Sequence, residues 1–198
     1  MIAILDYGAG NLFSVKNALD FLKIENIITK DIDAILKSDK MIIPGVGSFY
    51  NAMTMLKNQN LIDVIKKYSK IKPILGICLG MQILFEKGYE NETCIGLGLI
   101  KGEVTPIVSP NLKIPHMGWN KLVFNNKNKI TENLSGNVYS YFVHSFKAET
   151  NMENVIAYSE YGEKIPAIVN NGNVYGCQFH PEKSGEEGLK ILYNFSRL

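Results

Sequence analysis

Residues 74–82, Ile-Leu-Gly-Ile-Cys-Leu-Gly-Met-Gln, constrain the fold of this chain more than any other segment. Residues 74–77 form a short apolar run after Lys-Pro, which predicts a buried strand. Apolar residues then recur at Met81, Leu84 and Phe85, the spacing of one helix face. The segment therefore predicts a strand that turns directly into a helix.

Cys78 lies at that turn, with Gly76 and Gly80 two residues away on either side. Small neighbours let the backbone turn sharply enough to present one side chain, as in a nucleophile elbow. The helix N-terminus would then favour the attacking thiolate, and the backbone N–H of Leu79 would be free to bind an oxyanion. The alternative is that Cys78 is a small core residue, the commoner role of a free cysteine.

A cysteine nucleophile needs a base, and the base needs a group that orients it. Of the three histidines, only His180 is followed closely by a carboxylate, Glu182. Residues two apart on an extended segment point to the same side, so Glu182 is positioned to orient the imidazole while its other nitrogen faces Cys78. The alternative is a solvated His-Pro-Glu turn before a helix.

Together, residues 76–82 and 180–182 resemble the catalytic motifs of the class I (triad) glutamine amidotransferases. Within that class, further segments resemble the glutaminase subunits of imidazole glycerol phosphate synthase, in the same order along the chain: residues 6–11, 44–47, 115–120, 141–145 and 180–184. The resemblance runs from the first residues to the last helix. It implies one glutamine amidotransferase domain over residues 1–198.

The resemblance also implies roles for individual positions. The catalytic triad would be Cys78, His180 and Glu182, and the oxyanion hole would be formed by Leu79 with Gly45, Val46 and Gly47. The glutamine contacts would be Gln82, Glu90, His144 and Ser145. The face toward a partner subunit would carry Asn11, His116, Trp119 and Lys183. We expect His144 to be satisfied by hydrogen bonds and to transfer no proton.

Some of these positions have a second interpretation. Residues 44–47 are also compatible with a plain loop, Glu90 with a solvated loop acid, and Trp119 with a core position. Gly8-x-Gly10 after a strand suggests a dinucleotide site, but Phe13 stands where a third glycine would be needed.

The apolar patterns predict an α/β fold, a flavodoxin-like, mostly parallel open sheet with flanking helices and a β-rich C-terminal extension. Predicted strands are 2–5, 26–29, 41–43 and 74–77; predicted helices are 12–22, 32–36, 49–56, 61–68, one carrying Gln82 and Glu86, and 186–195. Extended segments follow at 95–100, 121–124, 138–143, 155–158 and 167–179, the last with an Asn171-Gly172 hairpin turn.

Composition narrows the class of protein. A 198-residue chain with 46% hydrophobic and 20% charged residues is typical of one soluble domain. A net charge of +2 with scattered basic residues argues against a nucleic-acid-binding protein. The sequence also lacks a run of about 18 apolar residues, which a membrane-spanning helix would need. The three cysteines lack metal-ligand spacing, so we expect no metal site. Their odd number and the lack of a secretion signal predict a cytoplasmic protein. We also expect no cofactor.

The resemblance implies a glutaminase that releases glutamate and ammonia through a Cys78 thioester. By resemblance, ammonia passes to a separate cyclase subunit in a heterodimer, which makes imidazole glycerol phosphate and an aminoimidazole carboxamide ribotide for histidine biosynthesis. Three alternatives stay open: the same glutaminase feeding a synthase that amidates a nucleotide-linked sugar, a cysteine hydrolase or peptidase, and a non-catalytic binding module.

Overall fold

The computed structural model describes residues 1–90 and 92–198 of the chain. Its strands are β1 (Ile2–Leu5), β2 (Asn26–Thr29), β3 (Lys40–Gly45), β4 (Ile74–Cys78), β5 (Lys87–Gly88), β6 (Cys94–Ile95), β7 (Glu103–Pro106), β8 (His116–Lys121), β9 (Val123–Phe124), β10 (Tyr139–His144), β11 (Phe146–Glu149), β12 (Val155–Glu160), β13 (Lys164–Asn171) and β14 (Val174–Cys177). Its α-helices are α1 (Leu12–Phe21), α2 (Ile32–Lys37), α3 (Phe49–Asn58), α4 (Leu61–Ser69), α5 (Leu79–Gln82) and α6 (Gly185–Arg197).

An eight-stranded sheet with the order β2-β1-β3-β4-β14-β13-β12-β9 organises the molecule. The first five strands of that order run parallel, and β13, β12 and β9 continue the sheet antiparallel. Segments that follow β4 add a two-stranded sheet, β10-β8, and a four-stranded sheet, β11-β7-β5-β6. The predicted fold class, a mostly parallel sheet with a β-rich C-terminal part, is thereby confirmed.

Apolar side chains on the central strands alternate between the two faces of the sheet. On β3, Met41 and Ile43 pack into the core that also holds residues of α3 and α4, whereas Ile42 packs into the core shared with α1 and α6. This alternation follows from the two-residue period of a strand, and it requires helices on both faces to remove the apolar side chains from water. None of the helices in the described part of the chain is long and apolar enough to cross a membrane.

The backbone of the turn after β4 packs very closely on the backbones of β3 and β4. A β-carbon on Gly80 would overlap the carbonyl oxygen of Ile43, and one on Gly76 would overlap the carbonyl oxygen of Gly80. Both obstacles are backbone atoms, which cannot move aside like the end of a flexible side chain. The glycines flanking Cys78 are therefore required by the close packing of α5 on β3 and β4.

The helix after Cys78 is much shorter than predicted. It ends at Gln82, and Glu86 lies beyond it. The carbonyl oxygens of residues 83–86 accept hydrogen bonds from the amides of residues 96–100 and not from a next helical turn. The same bonds explain why residues 96–100, predicted as extended, form no regular strand, since they pair with an irregular segment. The predicted hairpin at Asn171-Gly172 connects β13 to β14.

We expect Gly80→Ala to lower the free energy of unfolding by about 3 kcal/mol, because the new methyl group meets backbone on a neighbouring strand. Urea denaturation measures the loss. Gly136→Ala is the control: no atom lies within 4 Å of its β-carbon, so only its positive φ of 76° is penalised, by about 1 kcal/mol. A loss at Gly80 no larger than that at Gly136 would contradict the packing argument.

Candidate active site

Cys78 ends β4 with a φ of 54° and a ψ of −112°, a conformation that is rare outside glycine. Such strain in a non-glycine residue persists only where surrounding packing enforces it, and it is concentrated at functional sites. The side chain is 8% exposed. Leu79 follows as the first residue of α5, where a backbone amide has no partner within the helix. The geometry is that of a nucleophile elbow.

Two neighbouring parallel strands bring the base to the cysteine. Cys177 of β14 lies opposite Ile77 of β4, so the residues after Cys177 leave the sheet at the same edge as Cys78. His180 is 4% exposed there and lines the same pocket as Cys78. Adjacent carboxyl ends of parallel strands thus join segments a hundred residues apart.

Glu182 reaches His180 by a route that the sequence analysis did not predict. Residues Pro181–Lys183 form a single turn of 3₁₀-helix and are not extended. The turn folds the carboxylate back, so that the His180 Nδ1–H donates to Glu182 Oε1 over 2.8 Å. With Nδ1 used, Nε2 is the ring nitrogen of His180 that remains for a second partner.

The charge on His180 is set by opposing effects. Burial disfavours the imidazolium, but hydrogen bonds and charge interactions with Cys78 and Glu182 outweigh burial and raise the pKa of His180 to about 9. Burial, with a further contribution from Glu182, also raises the pKa of the Cys177 thiol well above its ordinary value. Of these two neighbours, only His180 is suited to hold and release a proton near neutral pH.

A pocket of about 330 Å³ opens beside Cys78. Its walls include Cys78, His180 and the predicted oxyanion residues Leu79, Val46 and Gly47. They also include all four predicted glutamine contacts, Gln82, Glu90, His144 and Ser145. Residues predicted from separate parts of the sequence therefore meet in one cavity.

The predicted oxyanion loop, residues 44–47, differs in packing along its length. Gly45 is the last residue of β3, is buried, and lies opposite Cys78. Val46 and Gly47 are exposed, and Gly47 has a φ of 99°. The loop therefore emerges beside the cysteine and extends over the pocket.

Gln82 and Glu90, two of the predicted glutamine contacts, each offer an oxygen to a ligand. The amide nitrogen of Gln82 donates to the carbonyl oxygen of Phe146 and to Gln178 Oε1, both over 3.0 Å, so only the Gln82 oxygen remains for a ligand. One oxygen of Glu90 accepts from the Phe49 amide over 2.7 Å, and the carboxylate has a second oxygen to offer. Both residues therefore suit an ammonium group.

His144 belongs to a chain of hydrogen bonds that runs between the Phe146 carbonyl oxygen and the Asn120 side-chain amide. These two end groups fix which ring nitrogens carry protons. Its Nδ1 lies 2.7 Å from the Phe146 carbonyl oxygen and must donate, so its Nε2 accepts from His116 Nδ1 over 3.0 Å. His116 Nε2 then accepts from Asn120 over 3.2 Å. Burial lowers the pKa of both histidines to about 4. Both rings are neutral and fully hydrogen-bonded, as expected for a His144 without proton transfer.

His116 does not lie on the surface where the sequence analysis placed it. It is 1% exposed and stacks between the rings of Phe142 and Tyr161. The alternation of β8 explains the difference, because His116 points inward while Met117 points to solvent. A direct contact between this side chain and a partner is therefore excluded in this conformation.

The other three residues predicted to face a partner are exposed. Trp119 is 57% exposed, which rules out the core position considered for it. Asn11 caps α1 by accepting from the Ser14 amide over 3.2 Å, and Lys183 projects from the turn beside the triad. Asn11 and Lys183 flank the carboxyl edge of the sheet, where the pocket opens.

Sequence reasoning missed two residues that contact this site. Gln178 links Gln82 to the cysteine, since its amide nitrogen lies 3.9 Å from Cys78 Sγ. Tyr7 is buried and donates to the Pro44 carbonyl oxygen. A polar residue directly after a buried strand, as at Gln178, was the available signal, because strand ends meet at the site edge.

The chain matches the family described as glutamine amidotransferase class-I over residues 3–197. Because the match spans nearly the whole chain, the protein belongs to the class I glutamine amidotransferases.

Individual relatives lie in one branch of that family. The imidazole glycerol phosphate synthase subunit HisH of Lactococcus lactis subsp. lactis strain IL1403 is 55% identical over 98% of this chain and 96% of its own. The protein of the same name from Bacillus cereus strain G9842 is 48% identical over 98% and 93%.

Solved structures with lower identity share the fold. The structure of PurLQS from Thermotoga maritima covers 99% of this chain and 97% of its own with a TM-score of 0.78 and 23% identity. A crystal structure described as glutamine amidotransferase covers 100% and 99% with a TM-score of 0.76 and 20% identity. These likenesses support the architecture alone.

We expect the three histidines to give a stability maximum near pH 6.5. Folding raises the pKa of His180 from 6.5 to about 9, so its contribution is complete below pH 6.5 and is lost as pH rises toward 9. Folding lowers the pKa of His116 and His144 to about 4, so stability also declines as pH falls from 6.5 toward 4.

Imidazole NMR titration and urea denaturation across this range measure both limbs. His180→Gln should abolish the alkaline decline and leave the acidic one. An alkaline limb that survives the substitution would contradict the assignment to His180.

We expect Gln178→Met to raise the KM for glutamine, because it removes the acceptor that orients the Gln82 amide. The unpaired, buried amide should also lower the free energy of unfolding by about 1–3 kcal/mol. Steady-state kinetics and denaturation measure the two effects. A stability loss with an unchanged KM would make Gln178 a purely structural residue.

Proposed function

We propose that the chain is the glutaminase subunit of imidazole glycerol phosphate synthase, hydrolysing glutamine to glutamate and ammonia. The observation that carries the proposal is the single pocket that joins Cys78, His180, the oxyanion loop and the oxygens of Gln82 and Glu90. Membership of the class I glutamine amidotransferases and the names of its relatives support the same function.

Glutamine would bind with its side-chain carboxamide at the elbow. Its ammonium group would lie against Glu90 and the Gln82 oxygen, the two acceptors described above. The neutral His144 and Ser145 would line the opposite wall. Two acceptors for one cation select an amino acid over a simple amide, because an uncharged analogue would leave the Glu90 carboxylate without its counterion.

Hydrolysis would proceed through a thioester. The Cys78 sulfur attacks the carboxamide carbon, and the negative charge on oxygen is held by the Leu79 amide and by the 44–47 loop. His180, protonated and oriented by Glu182, gives its proton to the departing nitrogen, which leaves as ammonia. The neutral imidazole then takes a proton from water, whose oxygen attacks the thioester to release glutamate and regenerate the thiolate–imidazolium pair.

Ammonia would pass to a cyclase subunit bound at the carboxyl edge of the sheet, forming a heterodimer. That subunit would use it to make imidazole glycerol phosphate and an aminoimidazole carboxamide ribotide for histidine biosynthesis, in the cytoplasm. Exposed Asn11, Trp119 and Lys183 support an interface on this face. No residue of this chain would need to contact the nucleotide substrate, and glutamine hydrolysis would need no metal or cofactor.

The test is glutamate release from glutamine by the purified chain, alone and with the cyclase subunit and its nucleotide substrate. We expect slow release alone, stimulation of roughly 10²–10³ in the complete mixture if the partner completes the oxyanion hole, and no release by Cys78→Ala. Cys94→Ala is the matched control, because Cys94 is a half-exposed thiol outside the pocket.

Each other outcome points to a different function. Absence of stimulation would favour ammonia supply to a related synthase, such as one that amidates a nucleotide-linked sugar. Rapid hydrolysis by the isolated chain would favour an independent cysteine hydrolase. Absence of glutamate release with every partner would leave a binding module.

A further inference from the structure

Tyr7 is fully buried directly after β1, on the loop that ends at Asn11. Its hydroxyl donates to the Pro44 carbonyl oxygen over 2.8 Å. The same hydroxyl lies 2.9 Å from the point where a β-carbon on Gly45 would stand. Its backbone oxygen is held in turn by the Gln59 side chain over 2.8 Å. Tyr7 is therefore a fixed group in contact with the start of the oxyanion loop.

The loop is clamped at its start and open at its end. Gly45 is closely enclosed, because a β-carbon there would lie within 3 Å of the Gly80 amide nitrogen, the Leu79 side chain and the Tyr7 hydroxyl. Gly10, from the same segment as Tyr7, packs against Pro44 and the Gly45 amide. In contrast, Val46 is 49% exposed, and no atom of the described residues lies within 4 Å of a β-carbon on Gly47. The change from clamped to open backbone falls between Gly45 and Val46.

We propose that Tyr7 is a positioning residue that fixes the base of the oxyanion loop and restricts its rearrangement to the backbone from Val46 onward. The anchor keeps the start of the loop at a fixed distance from Cys78, while the exposed backbone from Val46 onward is left free to move. Because Tyr7 and Asn11 share one loop, the anchor also connects the partner-facing edge with the catalytic pocket.

Tyr7 is not itself an oxyanion donor. Its only hydroxyl proton is committed to Pro44, which leaves none for the substrate oxygen. Burial and the nearby Cys78 charge raise the pKa of this phenol far above its ordinary value. The hydroxyl therefore keeps its proton, and its bond to Pro44, throughout the pH range in which the thiolate acts.

The inference rests on the proposed function, and its test is Tyr7→Phe in the full chain. We expect the glutaminase kcat of the complex with cyclase and nucleotide to fall roughly ten- to a hundredfold, less than for complete loss of an oxyanion donor. The KM for glutamine should not change, because Gln82 and Glu90 are untouched. The slow rate of the isolated chain should fall by a smaller factor, because its loop is not yet completed by the partner, so the stimulation ratio itself should fall.

Tyr68→Phe is the matched control. Tyr68 is a 3% exposed tyrosine whose hydroxyl donates to the Ser38 backbone oxygen over 3.1 Å, outside the pocket. Both substitutions remove one buried hydroxyl, so denaturation should give similar losses of stability. Alkylation of Cys78 by iodoacetamide, which needs no oxyanion hole, should proceed at the wild-type rate in both variants.

The outcomes separate the inference from the function on which it rests. An unchanged stimulated kcat in Tyr7→Phe, with a stimulated wild type, would overturn the role of Tyr7 alone. A raised rate in the isolated variant would also overturn it, because Tyr7 would then restrain the loop from its active conformation. If the wild type itself releases no glutamate with the cyclase, the proposed function fails and the inference fails with it.

Discussion

The parallel pairing of β4 with β3 on one side and β14 on the other is the interaction on which the candidate site depends. Backbone hydrogen bonds hold Gly45, Cys78 and the segment after Cys177 at one edge of the sheet. Carboxyl ends of parallel strands converge at one edge, so loop, nucleophile and base meet there without a long connection. A shift of β14 by one residue would turn Gln178 and the following segment to the other face.

Side chains in the walls of the pocket are held by bonds that leave little freedom. Gln178 and Phe146 use both protons of the Gln82 amide, and the histidine chain ends on the same Phe146 carbonyl oxygen. Buried polar groups are costly when unpaired, so this network specifies one arrangement of the pocket walls. The end of the candidate oxyanion loop differs from these walls, because Val46 is half exposed and no described atom lies within 4 Å of a β-carbon on Gly47.

Much of the first half could be predicted because strong local patterns there agree with the tertiary fold. β1 and β2 have the predicted limits, and the elbow lies at Cys78. The segments after β4 were harder to predict, because short strands such as β5 and β7 are defined by their partners more than by their composition. The helix after Cys78 was overestimated for the same reason, since residues 96–100 take the carbonyl groups that a longer helix would use.

The sequence by itself determined the chemical groups: a cysteine between two glycines, a histidine followed by a glutamate, and the loop residues that resemble one family. Those features are local, and residue identity is enough to indicate them. Only the tertiary structure decided that His116 is buried within a neutral histidine chain, that a 3₁₀ turn returns Glu182 to His180, and that Tyr7 bonds to Pro44 at the start of the 44–47 loop. Each of these depends on contacts between segments far apart in the chain, and no local pattern encodes the geometry of such contacts.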